Sequence, residues 1–473
     1  MDPKRRLGHH LIELLKVSAK FGRANIEHRR AKEMRRSAAG RISFTAGGAT
    51  APLQGVGCGR LVGRAHLRGE HFRAGRLSAR ALKRRTIRGV KGAEGPDALL
   101  QRAGLWYLLG ASLRSPRCLR RGLKALRRGP GGNVALERMK AETLLRLGRY
   151  QEAFSTFADL AKLPRAAEEL YVSPFRLRHD ARLLERLASL LSEPAIGTWA
   201  KALRRALEAL EQEGGPCPGD LWWASVQDLP RHIAGLLREG RYDRLTEVCP
   251  PPRELGGDPL RDRSWTICEE EYEGSGLLVL DGFFSDAALL ELWTYATEAP
   301  CFRSLRPGYL GAFPWDGCVH PLLRRTAEEL ETKMPRVLAG HRLARWWFFK
   351  YLHGGSGVGL HADDAAVNVN IWLSPEQPNQ RGGGLEIYRC APGRGSWTAD
   401  FNRVLAAGEE DVARAALRQG GVDRVAYKQN RACIFVSHRY HASEAFDFPD
   451  EQNPRVNLTL LFGDRSPAQD RRR

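Results

Sequence analysis

Apolar residues recur at helical spacing through the middle of the chain. In AETLLRLGRYQEAFSTFADLAKLP (Ala141 to Pro164) they repeat about every 3.6 residues, a Gly marks a turn and a Pro closes the segment. This pattern predicts two helices joined by a short turn. Stretches with a weaker helical spacing of apolar residues precede and follow it, so residues 93–250 are predicted to form a helical domain. The small, turn and large positions of the hairpin are Ala141, Gly148, Tyr150, Ala153 and Phe157.

The pattern changes after CPPPRELGGDP (Cys249 to Pro259), whose composition marks a domain boundary. Helices are predicted over 285–299, with Ser285 as the N-cap, and over 320–338. Short apolar runs between Gly-rich turns then predict a series of strands. Together they indicate a helix-supported β-barrel or sandwich over residues 264–465. The predicted strands are the start of Gly276–Phe284, then Trp346–Leu352, Ala366–Leu373, Gly384–Arg389, Arg431–Val436 and Arg455–Phe462.

Residues 1–92 show little sustained periodicity and are rich in Arg, Gly and Ala. Residues 1–91 carry 23 Lys and Arg against 5 Asp and Glu, a net +18; the whole chain carries +21, so the remainder contributes only +3. Such a segment cannot bury much apolar surface, and disorder is the default interpretation. A tether to nucleic acid or another acidic surface is a sharper interpretation. A wrongly assigned start codon is a third.

At 473 residues the chain is long enough for two or three domains with cores of their own. No apolar run reaches the roughly 18 residues that a membrane span requires, and the N-terminal segment lacks the pattern of a signal peptide. The nine cysteines are odd in number and show no metal-ligand spacing, which favours reduced thiols over a disulfide framework. These features predict a cytoplasmic protein without a membrane partner.

Candidate chemistry lies in GVGLHADDAAVNVNIWL (Gly357 to Leu373), where three ionisable residues head a predicted strand. Asp is a poor strand former and charge is costly near a sheet interior, so the stretch is either an exposed turn or a site. His361 and Asp363 are two residues apart and would project from one face of a strand. With a second His they would form the triad that binds non-haem Fe(II). A solvated turn explains the pair alone equally well.

A further ligand and a cation follow later in the chain. RACIFVSHRYHASEAF places His438 and His441 at the end of a late strand, and either could complete the triad. If the strand continues, alternation sends them to opposite faces, so only one is expected to reach a metal. Arg455 opens the next strand, and its planar guanidinium suits the distal carboxylate of a dicarboxylate cosubstrate. The order His-x-Asp, His, Arg is far more specific than any of its parts.

On these motifs, residues 270–465 resemble a 2-oxoglutarate and Fe(II)-dependent dioxygenase domain of the prolyl-hydroxylase-like branch. That branch shows a Tyr, a Gly-containing turn and His-x-Asp, then a strand and Gly-Gly-x-Leu, and finally His followed by Arg or Lys. The corresponding features here are Tyr351, Gly354 and Gly355, HADD, NVNIWL, GGGLEIY, His441 and RVNLTLLFG.

The chain resembles most a bacterial group that joins tetratricopeptide repeats to this domain, and the hairpin at 141–164 adds modest support. The resemblance implies an α+β chain. A C-terminal double-stranded β-helix (jelly-roll) domain with supporting helices would follow an α-helical, tetratricopeptide-like domain and the basic N-terminal arm. A plain helical hairpin domain is the alternative, since helical repeats normally need about three units.

The resemblance also implies a metal site. His361, Asp363 and His441 would bind Fe(II), because the motif uses the carboxylate two residues after the first His. Asp364 would lie outside the metal centre or face solvent. The aromatic residue before His441 and the small residues after it fall in the family's register, so His438 is predicted to be a pocket-rim or solvent-exposed histidine.

A cosubstrate site is implied beside it. Arg455 would hold the far carboxylate of 2-oxoglutarate, and Tyr351, Asn370 and Thr459 would lie near the cosubstrate. Alternatively, Tyr351, Asn370 and Thr459 are ordinary hydrogen-bonded residues of the barrel. The long segment Cys390–Gln429, partly helical in pattern, is predicted to act as a lid or substrate wall.

The implied activity couples oxidation of a substrate C–H bond by O2 to decarboxylation of 2-oxoglutarate to succinate. The substrate would be a protein side chain, held by the helical repeats, or a small molecule. Two rivals remain. One is a non-catalytic repeat scaffold whose barrel binds a ligand, and the other is an RNA- or ribosome-associated protein addressed by the basic arm.

Overall fold

The structure is a computed structural model. It describes residues 99–464 with gaps, whereas residues 1–98, which include the predicted basic arm, and residues 465–473 lie outside the described part. The described residues form two compact units, one ending at Thr143 and the other starting at Leu144. Within the described ranges no helix is long and apolar enough to cross a membrane. The gaps are residues 101, 105, 108–109, 111–114, 130, 164–170, 214–223, 248–254, 307, 352–353, 392–401, 403–416, 419 and 451–452.

Helices dominate the chain before residue 250, as the periodicity predicts. The predicted hairpin is confirmed, because two helices flank a turn at Gly148, whose φ of +70° favours glycine. A two-stranded sheet (β1, Tyr171–Val172; β2, Ala224–Ser225) was not predicted. The helices are α1 (Pro116–Leu126), α2 (Val134–Arg146), α3 (Tyr150–Lys162), α4 (Pro174–Leu191), α5 (Pro194–Gln212) and α6 (Arg231–Glu239).

The weaker helical stretch that follows the hairpin in the sequence, around Gly240 and Tyr242, has a different structure. Among the residues described before the gap at 248–254, helix α6 is followed by a 3-10 segment, Tyr242–Glu247, and Gly240 has a φ of −74° where Gly148 is left-handed. Tetratricopeptide-like repeats therefore remain a prediction.

An antiparallel seven-stranded sheet forms the body of the second unit, in the order β3-β12-β8-β15-β6-β5-β4. Four helices accompany it: α7 (Trp265–Ser275), α8 (Asp286–Glu298), α9 (Pro321–Lys333) and α10 (Pro335–Leu338). Helix α8 begins as predicted, with the Ser285 hydroxyl accepting a hydrogen bond from the Ala288 amide. The strands are β3 (Leu277–Leu280), β4 (Ser304–Arg306), β5 (Tyr309–Ala312), β6 (Leu343–Tyr351), β8 (Val367–Trp372), β12 (Ala432–Val436) and β15 (Val456–Phe462).

Two three-stranded sheets, β11-β10-β13 and β7-β14-β9, accompany the large one. From β6 to β15 the chain passes repeatedly between the large sheet and the small ones, which is the winding of a double-stranded β-helix. This topology is consistent with the predicted jelly roll. The strands of the small sheets are β7 (Gly354–Gly355), β9 (Arg381–Gly382), β10 (Leu385–Tyr388), β11 (Val422–Val425), β13 (His441–Ser443) and β14 (Phe446–Asp447).

Strand β6 separates two environments by its alternation. Trp346 is fully buried on the helical side, where its ring stacks on Phe154 of α3 with centroids 4.5 Å apart and its Nε1–H donates to the Cys318 carbonyl at 2.7 Å. Trp347 and Phe349 project from the opposite face, toward the interior of the β-helix. One strand therefore supplies both a core anchor and a cavity wall.

Three local expectations need correction. The single helix predicted over 320–338 is two helices, because Pro335 lacks an amide hydrogen and Met334 leaves helical geometry. The strand that precedes His438 ends at Val436, as its predicted limits have it, so the continuation on which alternation of His438 and His441 depended does not occur, and His441 opens β13 in a different sheet. The hairpin of β4 and β5 was missed, since its strands have only three and four residues.

Candidate metal centre

Three side chains able to bind a metal, His361, Asp363 and His441, come together inside the β-helix. The backbones of His361 and His441 form an antiparallel bridge with reciprocal hydrogen bonds of 2.9 and 2.8 Å. Directly opposed residues project from the same face, and the two imidazole centroids are 4.1 Å apart. The Asp363 amide donates to the Ser437 carbonyl at 3.2 Å, which holds the carboxylate beside both rings.

The separations suit a single small cation. The ligand atoms of the three residues all lie within 4.8 Å of one another. His361 Nε2 is 3.9 Å from Asp363 Oδ1, and His441 Nε2 is 3.5 Å from Asp363 Oδ2. Ligand atoms about 2.1 Å from one metal and at right angles to each other lie about 3 Å apart. The side chains are therefore near coordinating positions.

Both histidines are held in the tautomer that a metal site needs. Nδ1 of His361 lies 2.8 Å from the Gly359 carbonyl oxygen, and Nδ1 of His441 lies 2.9 Å from the Arg439 carbonyl oxygen. A carbonyl can only accept, so each Nδ1 carries a hydrogen and each Nε2 is directed to the cluster, where the neutral ring would offer its lone pair to a metal. This arrangement is common around protein-bound metals.

Asp363 is held in its ionised form. Burial alone would raise the pKa of this carboxyl, but the hydrogen bond with His441 and the charges of His361 and His441 outweigh it and lower the pKa below its usual value. The Asn368 amide donates to Oδ2 at 2.9 Å. Two imidazoles and a carboxylate on one side form the donor set typical of non-haem Fe(II).

A cavity open to solvent adjoins the three ligands. All seven residues that the sequence marks as site candidates line it, so the fold brings together positions up to 108 residues apart in the chain. These are Tyr351, His361, Asp363, Asn370, His441, Arg455 and Thr459.

Arg455 is the most unusual of these residues. Its side chain is 2% exposed, and its Nε and Nη2 both donate to the Gly383 carbonyl, at 3.1 and 2.7 Å. The guanidinium lies against the rings of Tyr351 and Phe446, 4.5 and 5.3 Å from their centroids. Nη1 is buried without a hydrogen-bond partner, and no described carboxylate forms an ion pair with this arginine. A buried cation of this kind is costly unless an anion joins it.

Polar side chains continue from Arg455 along β15. Asn457 donates from Nδ2 to Asn370 Oδ1 at 3.4 Å and to Thr459 Oγ1 at 3.3 Å, while its own Oδ1 is buried without a partner. Asn457 was missed in the sequence. The signal was present, because Arg455, Asn457 and Thr459 alternate on one face of a strand that is otherwise apolar.

Tyr351 closes the cavity beside the arginine. Burial raises the pKa of its phenol, and the positive charge of the neighbouring Arg455 partly offsets that increase. The phenol of this cavity-lining residue therefore stays neutral. Ser443, Trp347 and Phe349 also line the cavity and were not singled out in the sequence.

The two histidines of the HRYH segment have different surroundings, as predicted, but for another reason. The four residues after Val436 form a turn between two sheets, so strand alternation does not separate His438 from His441. His438 lies outside the metal cluster. It is only 4% exposed, and the prediction of a pocket-rim or solvent-exposed histidine is therefore wrong. Asp364 is half-buried and does not line the cavity.

The predicted lid, Cys390–Gln429, lies largely outside the described residues. Asn402 within it is described. Its side-chain amide accepts from the Ala362 amide at 3.1 Å and donates to the Ala362 carbonyl at 3.0 Å. Ala362 lies between His361 and Asp363, so Asn402 fixes the backbone that carries two of the three candidate ligands.

Comparisons with known proteins give distant structural likenesses. No protein-family model matches the chain, and no curated protein matches its sequence. A prolyl-4-hydroxylase from Pseudomonas putida is 16% identical with a TM-score of 0.29, over 43% of this chain and all of that one. HygX from Streptomyces hygroscopicus, crystallised with nickel and 2-oxoglutarate, is 12% identical with a TM-score of 0.31, over 42% of this chain and 86% of that one. A 2-oxoglutarate and Fe(II) oxygenase family oxidoreductase from Burkholderia pseudomallei is 12% identical with a TM-score of 0.29, over 45% and 97%. At these identities, the function of this chain rests on the geometry of its own site.

Proposed function

We propose that the protein is an Fe(II)- and 2-oxoglutarate-dependent dioxygenase. One observation carries the proposal: a single cavity holds a two-His, one-carboxylate cluster and, with it, a buried guanidinium whose Nη1 lacks a partner. The cluster suits a ferrous ion that keeps positions open for other ligands. The guanidinium suits the carboxylate of an organic acid.

The residues present fit both groups. His361 and His441 would each offer Nε2 to the iron, and Asp363 would offer a carboxylate oxygen. Arg455 would donate from Nη1 to the far carboxylate of 2-oxoglutarate while Gly383 holds the rest of the fork. With O2 as the oxidant, bound iron and 2-oxoglutarate would supply oxidation of a substrate C–H bond coupled to decarboxylation of 2-oxoglutarate to succinate and CO2.

The protein's own contribution is orientation and exclusion of water. Arg455 and Tyr351 would fix one end of the cosubstrate, with Asn370, Asn457 and Thr459 available to its remaining oxygen atoms. Trp347, Phe349 and Trp372 line the cavity with rings, which lowers the local dielectric and strengthens the interaction between Arg455 and the cosubstrate.

We infer that the reaction on the substrate is a hydroxylation, of a protein side chain or of a small molecule. The P. putida neighbour is a prolyl-4-hydroxylase, which makes this type of reaction reasonable. Peptide binding by the helical domain, nucleic-acid binding through the basic arm and a cytoplasmic location remain predictions.

The experiment is release of succinate from 2-oxoglutarate with Fe(II), O2 and cell extract as a source of substrate, followed by mass spectrometry for a product heavier by one oxygen atom. Succinate should require the metal and should fall to background in Asp363→Ala. The matched control is Asp364→Ala, adjacent in sequence and outside the cavity. A ligand-binding scaffold without catalysis would release no succinate from wild type under any of these conditions.

A further inference from the structure

A row of aromatic side chains continues outward from the cavity. We name it the aromatic wall; it comprises Tyr309, Phe313, Trp315, Trp347 and Phe349. Trp347 and Phe349 line the cavity itself. The others join them through ring contacts: Tyr309 to Phe349 at 4.6 Å, Phe313 to Trp347 at 6.1 Å, and Phe313 to Trp315, stacked at 4.8 Å.

The wall lies where the large sheet extends past β6. Strand β5 pairs with β6, so the face that forms the cavity continues onto β5. Gly311 keeps this face open for the rings, because a Cβ at that position would lie 3.0 Å from Phe313 and 3.4 Å from Phe349. All five rings of the wall are only partly buried. A continuous, partly exposed apolar surface next to a cavity is typical of a ligand-binding site.

Two exposed arginines bracket the wall. Arg345 precedes Trp347 by two residues on β6 and so shares its face, and Arg306 lies opposite Tyr309 in the β4–β5 register. Neither arginine lies within ion-pair distance of a carboxylate that the structure describes, although the charge of Arg345 contributes to the lowered pKa of Asp363. Flat apolar rings beside two exposed cations suit a ligand that combines a ring with a negative charge.

We propose that the aromatic wall binds the substrate, and that this substrate is a small organic acid built on an aromatic ring. The proposal rests on the proposed function, since the wall leads into the cavity with the metal ligands. The cavity at the end of the wall combines aromatic side chains with a few placed polar groups, a lining that is typical of small-molecule sites. The ring would pack on Phe313 and Trp347, and the acid would pair with Arg345.

The test uses 1-naphthoate as the probe and isothermal titration calorimetry on protein without metal. 1-Naphthalenemethanol keeps the ring without the charge, and cyclohexanecarboxylate keeps the charge without the aromatic ring. Because a carboxylate could also enter beside Arg455, every titration is repeated in an Arg455→Met background. Titration without metal separates this test from the proposed function, which is tested by succinate release.

1-Naphthoate should bind in both backgrounds. Trp347→Ala and Phe313→Leu should each weaken binding about three- to tenfold, and Arg345→Gln about two- to fivefold. Leu290→Ala and Arg231→Gln, exposed residues away from the wall, should leave the affinity unchanged. Phe313→Leu and Arg345→Gln change no fully buried group, so misfolding does not confuse the result.

Three results would overturn the proposal. One is wild-type affinity for 1-naphthoate in both single variants, Trp347→Ala and Arg345→Gln. Another is equal binding of the three probes, which would mean that neither ring nor charge is recognised. The last is loss of all 1-naphthoate binding in Arg455→Met, which would assign the probe to the cosubstrate site.

Discussion

Replacing Arg455 by Met separates a structural role of this arginine from a role in binding the cosubstrate. Met has a similar length and no charge. In the protein without ligand, Arg455 is 2% exposed and two of its nitrogens satisfy one carbonyl, while Nη1 has no partner. The variant would lack the two hydrogen bonds to Gly383, which destabilises it. It would also lack the buried, unpaired charge, which stabilises it.

These two effects act in opposite directions on stability. Hydrogen bonds to a charged group contribute about 1.5–3 kcal/mol, whereas burial of an uncompensated charge costs several kcal/mol. We therefore expect the free energy of unfolding of ligand-free Arg455→Met to lie within about 1 kcal/mol of the wild-type value or to exceed it. The affinity for 2-oxoglutarate should behave differently, because losing one partner of a buried charge pair costs about 2–5 kcal/mol. This corresponds to a Kd about 30-fold to several thousand-fold higher.

The assay is calorimetric titration of 2-oxoglutarate into Ni(II)-loaded protein, paired with urea unfolding of the metal-free protein. Arg455→Lys is the intermediate variant. A lysine keeps the positive charge, but it lacks the planar guanidinium that can donate to the Gly383 carbonyl and to a carboxylate at the same time. Its Kd should lie between those of wild type and Arg455→Met. A variant that unfolds several kcal/mol more easily yet binds 2-oxoglutarate normally would refute the reasoning and make Arg455 a structural residue.

Three further predictions concern other parts of the chain. Asn402→Ala should weaken Co(II) binding about 10- to 100-fold in a spectroscopic titration, because it removes both hydrogen bonds to Ala362; unchanged affinity would remove Asn402 from the metal centre. Lys350 is buried against His179, and burial lowers its pKa to about 7, so the folded state binds fewer protons than the unfolded state between about pH 7 and 10.5. Stability to urea should therefore rise with pH across that window, on the order of a few kcal/mol, and the rise should be absent in Lys350→Met; parallel curves for the two proteins would contradict this. Deleting residues 1–92 should leave succinate release and thermal unfolding nearly unchanged, since that segment has too little patterned apolar sequence to join a core; insoluble protein would show that the segment packs.

Local periodicity was enough to predict most of the sheet. The strands β6, β8, β10, β12 and β15 lie within one to three residues of their predicted limits, because long apolar runs between Gly-rich turns leave few alternatives. Short strands such as β4, β5 and β7 carry too few residues to show a period, and pairing with longer strands creates them.

The site was predictable to the extent that its residues share a strand or a motif. His361 and Asp363 are two apart, and Arg455 and Thr459 are four apart on one face. Asn402 had no such signal, because its partner Ala362 is 40 residues away and the contact depends on tertiary structure. His438 and His441 were distinguished by family register, whereas the physical cause is a turn that carries the chain to another sheet.

Iron stoichiometry of five proteins, loaded without oxygen and measured after desalting, tests the central claim most directly. Wild type and His438→Gln should each hold one Fe(II) per chain, because His438 lies outside the cluster. His361→Ala, Asp363→Ala and His441→Ala should hold almost none while unfolding at temperatures close to that of wild type. Equal iron in all five proteins, or loss of iron only in His438→Gln, would contradict the assignment of the metal centre.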